Sequence, residues 1–327
     1  MAAQLVDSFG RVHRDLRISV TDRCNFRCTY CMPAEGLDWV PRDDLLTFEE
    51  IARVARIMVE RYGVDGIRLT GGEPTVRANL PVLVRMLAEL GTDLAMTTNG
   101  VSLPLLATEL RAAGLRRVNV SLDSLQAPRF AELTRRDGLA RVLDGIDAAV
   151  AAGFDPVKVN CVVMRGVNDD EIAAFVGFGR RTGTEVRFIE FMPLDADGIW
   201  TNDLVVPVDE ILARVDDACP VEPVERTSAP ATRYRFADGV GAVGIVASVS
   251  DSFCSTCDRV RLTADGQFRN CLFAVTETDL RALLRSGAGD DEIGAALEGS
   301  VASKWAGHQI NRVHFVRPRR SMSQIGG

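Results

Sequence analysis

The sequence predicts an α/β fold: an incomplete (βα)6 TIM-like barrel followed by a smaller C-terminal segment. Three observations carry this. Six strand-like segments alternate with amphipathic helical runs, an order that implies a parallel sheet. The strands themselves alternate instead of being apolar throughout, so one face of the sheet lies under helices and the other lines something polar. A loop dense in cysteine follows the first strand, at the carboxyl end where the active sites of such barrels lie.

Taken in order, the strands are Leu16 to Val20, Gly66 to Gly71, Leu94 to Thr97, Arg117 to Leu122, Val157 to Met164 and Val186 to Phe191. On the first, Leu16, Ile18 and Val20 oppose Arg17, Ser19 and Thr21. The same pattern sets Arg68 and Thr70 against Ile67 and Leu69, Thr97 and Asn99 against Met96, Asn119 and Ser121 against Val118 and Val120, and Lys158 and Asn160 against Val157 and Val159. Thr47-Phe48-Glu49-Glu50 is a capping box opening a helix that Gly63 ends, and further helical runs end near Gly91, Gly114, Gly153 and Gly183. A one-sided antiparallel sheet would also alternate, but it fits the interposed helices poorly. From about Val206 the pattern loosens around Pro207, Pro220, Pro223 and Pro230. This places a boundary near residue 225, between a core of residues 1–225 and a C-terminal domain of residues 226–327.

Composition bounds the function. The chain has 327 residues, 46% hydrophobic and 25% charged, an ordinary globular mixture. Its net charge of -7 argues against a general nucleic-acid or membrane-surface binder, so cations that converge on a site serve a local anion. No apolar run is long enough to span a membrane and Met1 to Arg14 has no apolar leader, which reads as cytoplasmic. Of the eight cysteines, six fall in two tight triplets, a pattern of metal ligation in a reducing compartment. Cys161 reads as a small buried residue, and Cys219 receives no role.

The first triplet is Cys24, Cys28 and Cys31 in the spacing CxxxCxxC. Three thiolates can hold three irons of a 4Fe-4S cluster and leave the fourth iron open to an exogenous molecule that takes an electron. Zinc wants four ligands and disulfides want even numbers. The second triplet, Cys254-Ser255-Thr256-Cys257 and then Cys271, is again one ligand short. It reads as a second open-iron 4Fe-4S cluster, or as a zinc knuckle completed by His308 or His314.

CxxxCxxC with Tyr30 before its last cysteine resembles the radical S-adenosylmethionine (radical SAM) enzymes. The second triplet in its setting, Cys254 to Leu262, Asp265-Gly266 and Cys271-Leu272-Phe273, resembles the GTP 3',8-cyclases of molybdenum-cofactor biosynthesis (the MoaA family). So do Leu16 to Arg23, Arg187 to Pro193 and the final Ile325-Gly326-Gly327, and the resemblance covers essentially the whole chain.

That resemblance implies a lyase with two 4Fe-4S clusters and S-adenosyl-L-methionine. A deoxyadenosyl radical takes the hydrogen from C3' of GTP, and the carbon radical attacks C8 of guanine. It also implies site roles. Tyr30, Gly72, Glu73, Ser121 and Met192 would meet S-adenosylmethionine, with Glu73 accepting from its ammonium. Arg17, Arg68, Thr97, Lys158, Arg259, Val260 and Arg261 would hold GTP. Gly326 and Gly327 would thread a narrow tail into the cavity, where a frayed terminus is the plainer reading. Any one of these cations taken alone reads better as a surface or salt-bridged side chain. Implied partners are GTP, a reductant, a downstream cyclic pyranopterin monophosphate synthase and, as a homodimer, a second copy of the chain, with neither nucleic acid nor membrane. The alternatives are a peptide-modifying radical SAM enzyme with an auxiliary cluster, and a zinc-stabilised binding protein without catalysis.

Overall fold

The structure is a computed structural model that describes residues 3–326 except 196, 311, 312 and 314. Gly327 and His314 therefore lie outside the described residues. The elements run β1 (Asp15–Ser19), α1 (Phe48–Tyr62), β2 (Gly66–Thr70), α2 (Leu80–Ala88), β3 (Asp93–Thr98), α3 (Leu103–Ala112), β4 (Arg117–Ser121), α4 (Ala127–Thr134), α5 (Leu139–Ala151), β5 (Val157–Val163), α6 (Ile172–Thr182) and β6 (Glu185–Glu190). There follow α7 (Val208–Ala218), β7 (Val221–Pro223), β8 (Thr232–Phe236), β9 (Ala242–Val246), β10 (Arg259–Leu262), β11 (Gln267–Arg269), β12 (Thr278–Asp279), α8 (Leu280–Arg285), α9 (Asp290–Ala302) and α10 (Met322–Ile325).

Strands β1 to β6 are parallel and in sequence order, each carried to the next by helix. The alternation explains why they sit as they do. Leu16, Ile18, Ile67, Leu69, Leu94, Met96, Val118, Val120, Val157 and Val159 are buried in the core beneath the helices, while the polar partners of each strand turn to the concave side. Helix α1 starts at the capping box, with Thr47 accepting from the Glu50 N–H at 3.1 Å and Glu50 accepting from the Thr47 N–H at 2.8 Å. It ends at Gly63 in the left-handed conformation, φ 70°.

The sheet does not close. It has twelve strands in the order β12-β11-β10-β1-β2-β3-β4-β5-β6-β9-β8-β7, with β10 parallel to β1 and β9 parallel to β6. Strands downstream of residue 225 thus extend both edges of the six-stranded arc. The returning chain brings Cys254, Cys257 and Cys271 to the same concave side as the loop after β1. An isolated bridge between Val6 and Val12 forms a short hairpin at the N-terminus, which packs beside Trp305 and Ala306.

Candidate active site

The loop after β1 is pinned to the end of α4: the Arg27 N–H donates to the Thr134 carbonyl at 3.0 Å and the Thr29 N–H to the Leu133 carbonyl at 2.9 Å. Phe26 is buried edge-to-face against Phe130, with centroids 5.8 Å apart. This presents Cys24, Cys28 and Cys31 as free, half-buried thiols. Burial pushes Cys24 up to about 11 and Cys31 to about 12, and Cys28 rises well above the ordinary thiol range; the neighbouring sulfurs add to all but Cys24. Three such sulfurs become thiolates together only around a cationic group, so the donor set fits a cluster. Among the described residues no three His, Cys, Asp or Glu side chains stand at the spacing of a single metal ion.

The glycines after β2 have a different use from the one their sequence indicates. They bring two stretches of chain together, not only chain and ligand. The Gly72 N–H donates to the Thr21 carbonyl at 2.7 Å, and a Cβ on Gly72 would lie 2.4 Å from the carbonyl oxygens of Asp22 and Arg23. The Glu73 carboxylate is committed within the protein. Its oxygens accept from the Thr75 N–H and hydroxyl, the Thr98 hydroxyl and the Asn99 N–H, at 2.6 to 3.0 Å. Through these bonds the side chain fixes the turn after β2 against β3.

A cavity of about 270 Å³ is bordered by the second triplet and by the loop of the first, whose cysteines do not line it. Tyr30 reaches it from the first, and Cys254, Cys257 and Cys271 line it from the second. The strands supply Arg17, Arg68, Thr97, Ser121, Arg259 and Arg261, and Met192 closes it after β6. Gly72, Glu73 and Lys158 do not line it. Lys158 is 3.7 Å from Glu185, which also accepts from Arg187 and Arg233, both at 2.9 Å. Val260 turns its side chain into the hydrophobic core on the opposite face of β10. Arg261 donates to the carbonyl of Gly326, which lies inside against Thr70 and Ser19. At Gly326 φ is 88°, and a Cβ would meet Thr70 Oγ1 at 2.5 Å.

The electrostatics of this cavity are one-sided. Burial lowers Arg17, and burial with Arg17 beside it lowers Arg68 to about 9; Arg261 falls well below its ordinary value for the same reasons. Buried Nε of Arg17, Nε of Arg68 and both terminal nitrogens of Arg259 lack a hydrogen-bond partner among the described residues. Such donors are costly unless an anion completes them. At the second triplet burial raises Cys257, but Arg259 and Lys304 outweigh it and hold it at about 7.

Several lining residues had no assigned role in the sequence. Asn119, Asn160 and Arg187 line the lumen, and all three stand on the polar phase of their strands, which was the available signal. Asp123 was missed altogether. It accepts from the Tyr30 hydroxyl at 2.6 Å and from the Val162 N–H at 2.8 Å, and burial raises it to about 6. Its place two residues after Ser121, on the same phase, could have found it.

Comparison with known proteins agrees with this geometry. Residues 18–179 match the family described as the Radical SAM superfamily, and residues 184–310 match Molybdenum Cofactor Synthesis C. A protein of Mycolicibacterium smegmatis named GTP 3',8-cyclase is 50% identical over 99% of this chain and 92% of its own. One of the same name from Corynebacterium glutamicum is 48% identical over 99% of this chain and 89% of its own. Among solved structures, Streptococcus suis SuiB bound to S-adenosylmethionine superposes with a TM-score of 0.63 at 14% identity, covering 90% of this chain and 69% of that one. At that identity the likeness is one of fold.

Proposed function

The chain belongs to the GTP 3',8-cyclase family of radical S-adenosylmethionine enzymes, and on that premise we propose that Arg17, Arg68 and Arg259 receive the phosphates of GTP in the lumen between the two thiol triplets. The enzyme converts GTP to (8S)-3',8-cyclo-7,8-dihydroguanosine 5'-triphosphate with S-adenosylmethionine, the first step of molybdenum-cofactor formation. The relatives at half identity over the whole chain decide for GTP against a peptide substrate. The observation that carries the phosphate assignment is the set of unpartnered buried guanidinium nitrogens.

Cys24, Cys28 and Cys31 would hold a 4Fe-4S cluster that would supply the electron for cleavage of S-adenosylmethionine, and Cys254, Cys257 and Cys271 would hold a second that would supply Lewis-acid chemistry toward guanine. The chain's own residues do the rest by position. Arginines grip the triphosphate through forked charge-assisted hydrogen bonds, which fixes the ribose relative to the first triplet. Tyr30, Ser121 and Met192 border S-adenosylmethionine from the other side, with Asp123 holding the Tyr30 ring in place. Arg261 anchors the tail at Gly326, which narrows the lumen and keeps water and stray C–H bonds from the reacting carbon. Thr97 lies between these groups on β3. Lys158 acts through Glu185, which orients Arg187 toward the lumen.

We divide the labour near residue 225, with the core serving S-adenosylmethionine and residues 226–327 serving the auxiliary cluster and the tail. A low-potential reductant, a downstream cyclic pyranopterin monophosphate synthase and a homodimer are partners the family implies. Among the described residues no helix is long and apolar enough to cross a membrane. Six ligand thiols that must stay reduced assign the enzyme to the cytoplasm.

The test is an anaerobic assay of the iron- and sulfide-reconstituted chain with S-adenosylmethionine and a strong reductant, comparing GTP, ATP and no nucleotide. GTP-dependent 5'-deoxyadenosine with matching loss of GTP is expected. Deoxyadenosine formed equally without nucleotide would overturn the substrate assignment.

A further inference from the structure

The chain uses 38 basic residues, and only two of them, Lys158 and Lys304, are lysine. Both are buried. Lys304 follows α9 and is 3% exposed, and its ammonium is saturated: it donates to the Arg259 carbonyl at 2.8 Å, meets His13 Nδ1 at 3.3 Å and points a third bond at Cys257 Sγ, 3.6 Å away. An ammonium has three donors, and here each has its own acceptor. The planar fork of an arginine could not make this tripod, which gives a physical reason for a lysine in so arginine-rich a chain.

The tripod is held from behind. His13 is fully buried, and its other nitrogen, Nε2, lies 3.1 Å from Asp7 Oδ2. With the proton on Nε2 donating to Asp7, Nδ1 is the acceptor that Lys304 requires. Burial first, then the nearby Lys304, lowers His13 to about 4, which keeps the ring neutral and fit for that role. Asp7 in turn accepts from Arg11 Nε at 2.6 Å. Arg11 spans the gap to the cysteine segment, donating to the carbonyls of Cys254 and Ala306 at 2.6 and 2.7 Å and of Trp305 at 2.6 Å. Asp7, Arg11 and His13 belong to the N-terminal hairpin, so residues at the two ends of the chain converge on one sulfur.

We propose that Lys304 is a positioning residue for the auxiliary cluster, donating a hydrogen bond to the Cys257 thiolate, with His13, Asp7 and Arg11 as the buried chain that aims it. This rests on the reading of Cys254, Cys257 and Cys271 as cluster ligands. A hydrogen bond and a positive charge at a ligand sulfur stabilise the reduced, more negative state of a cluster, so they raise its potential. The first triplet has different neighbours: the Phe26 N–H donates to Cys24 Sγ at 3.3 Å, and Ser323 lies beside Cys31.

The test uses the full chain, anaerobically reconstituted. Iron and acid-labile sulfide in the wild type come first; a single cluster per chain would sink the two-cluster reading itself. Given two clusters, Lys304→Met is expected to make the midpoint potential of the auxiliary cluster more negative and to leave that of the first cluster unchanged, with Lys304→Arg recovering part of the shift. A second measurement needs no variant. In protein grown on 15N-lysine, pulsed electron paramagnetic resonance of the reduced auxiliary cluster is expected to show a 15N coupling that is absent from the first cluster, and Lys158 is the only other labelled site. Two intact clusters with no 15N coupling, or an unshifted auxiliary potential in Lys304→Met, would overturn the proposal while leaving the cluster reading intact.

Discussion

At Arg68 the cost of function is legible in one side chain. Its side chain is half-buried beside Arg17, its buried Nε has no partner among the described residues, and its ionisation is pulled down to about 9. A buried cation without a partner destabilises the fold, so a neutral side chain of similar length should stabilise the ligand-free protein while weakening the ligand. Arg68→Met is therefore expected to raise the denaturant midpoint without GTP. It should also weaken GTP by about 1.5–3 kcal/mol, roughly ten- to a hundredfold in Kd. Calorimetric titration with GTP and with S-adenosylmethionine checks this, the second affinity being unchanged. The residue was found in the sequence because a charge on the polar phase of a buried strand is conspicuous. The bonds Glu73 accepts within the protein were not legible for the opposite reason: they come from Thr75, Thr98 and Asn99, and no local pattern shows which distant donors a carboxylate meets.

At the scale of the element, the turns at strand ends hold the chemistry. The Gly71-Gly72 turn lies against the chain that leads into the first triplet, and Gly72→Ala would force a methyl group to 2.4 Å from two carbonyl oxygens. The cysteine loop must then move, so this variant is expected to lose iron and the paramagnetic signal of the first cluster while retaining those of the second. Equal loss at both would contradict a local effect. The C-terminal tail is the second such element. Ser323 on α10 hydrogen-bonds Cys31 through both its backbone and its side chain, and Arg261 holds Gly326. Deleting Gly326 and Gly327 is expected to abolish GTP cyclisation while S-adenosylmethionine cleavage continues, which product analysis by mass spectrometry separates. Strands β1 to β6 and the helix caps were readable because their signals are local: period-two alternation, a capping box, a glycine stop. Strands β7 to β12 were not read; β10, for one, gains its neighbour β1 only after some 240 residues have returned to the sheet edge.

For the whole molecule, the sheet order makes the two ends of the chain structural neighbours, and the N-terminal hairpin closes that contact with a buried titratable group. His13 has its proton affinity lowered from 6.5 to about 4, chiefly by burial. Between those values the unfolded chain binds a proton that the folded chain refuses. Stability therefore rises with pH across this window and is lost as pH falls from about 6.5 toward 4, the full gap being worth about 3 kcal/mol. Asp7 moves the same way in a lower window: burial raises it, but Arg11 and the turn N–H groups outweigh that and lower it, so its contribution is lost only as pH falls below the ordinary carboxylate range. The two are thus separable. In His13→Gln the side chain can still donate to Asp7 and accept from Lys304 but no longer titrates. The urea midpoint of this variant is expected to change less between pH 7 and pH 5 than that of the wild type, with the two proteins converging toward pH 5. An equal acid slope in both would mean that the loss of stability comes from elsewhere, and that the contact between the chain's two ends is not where acid first acts.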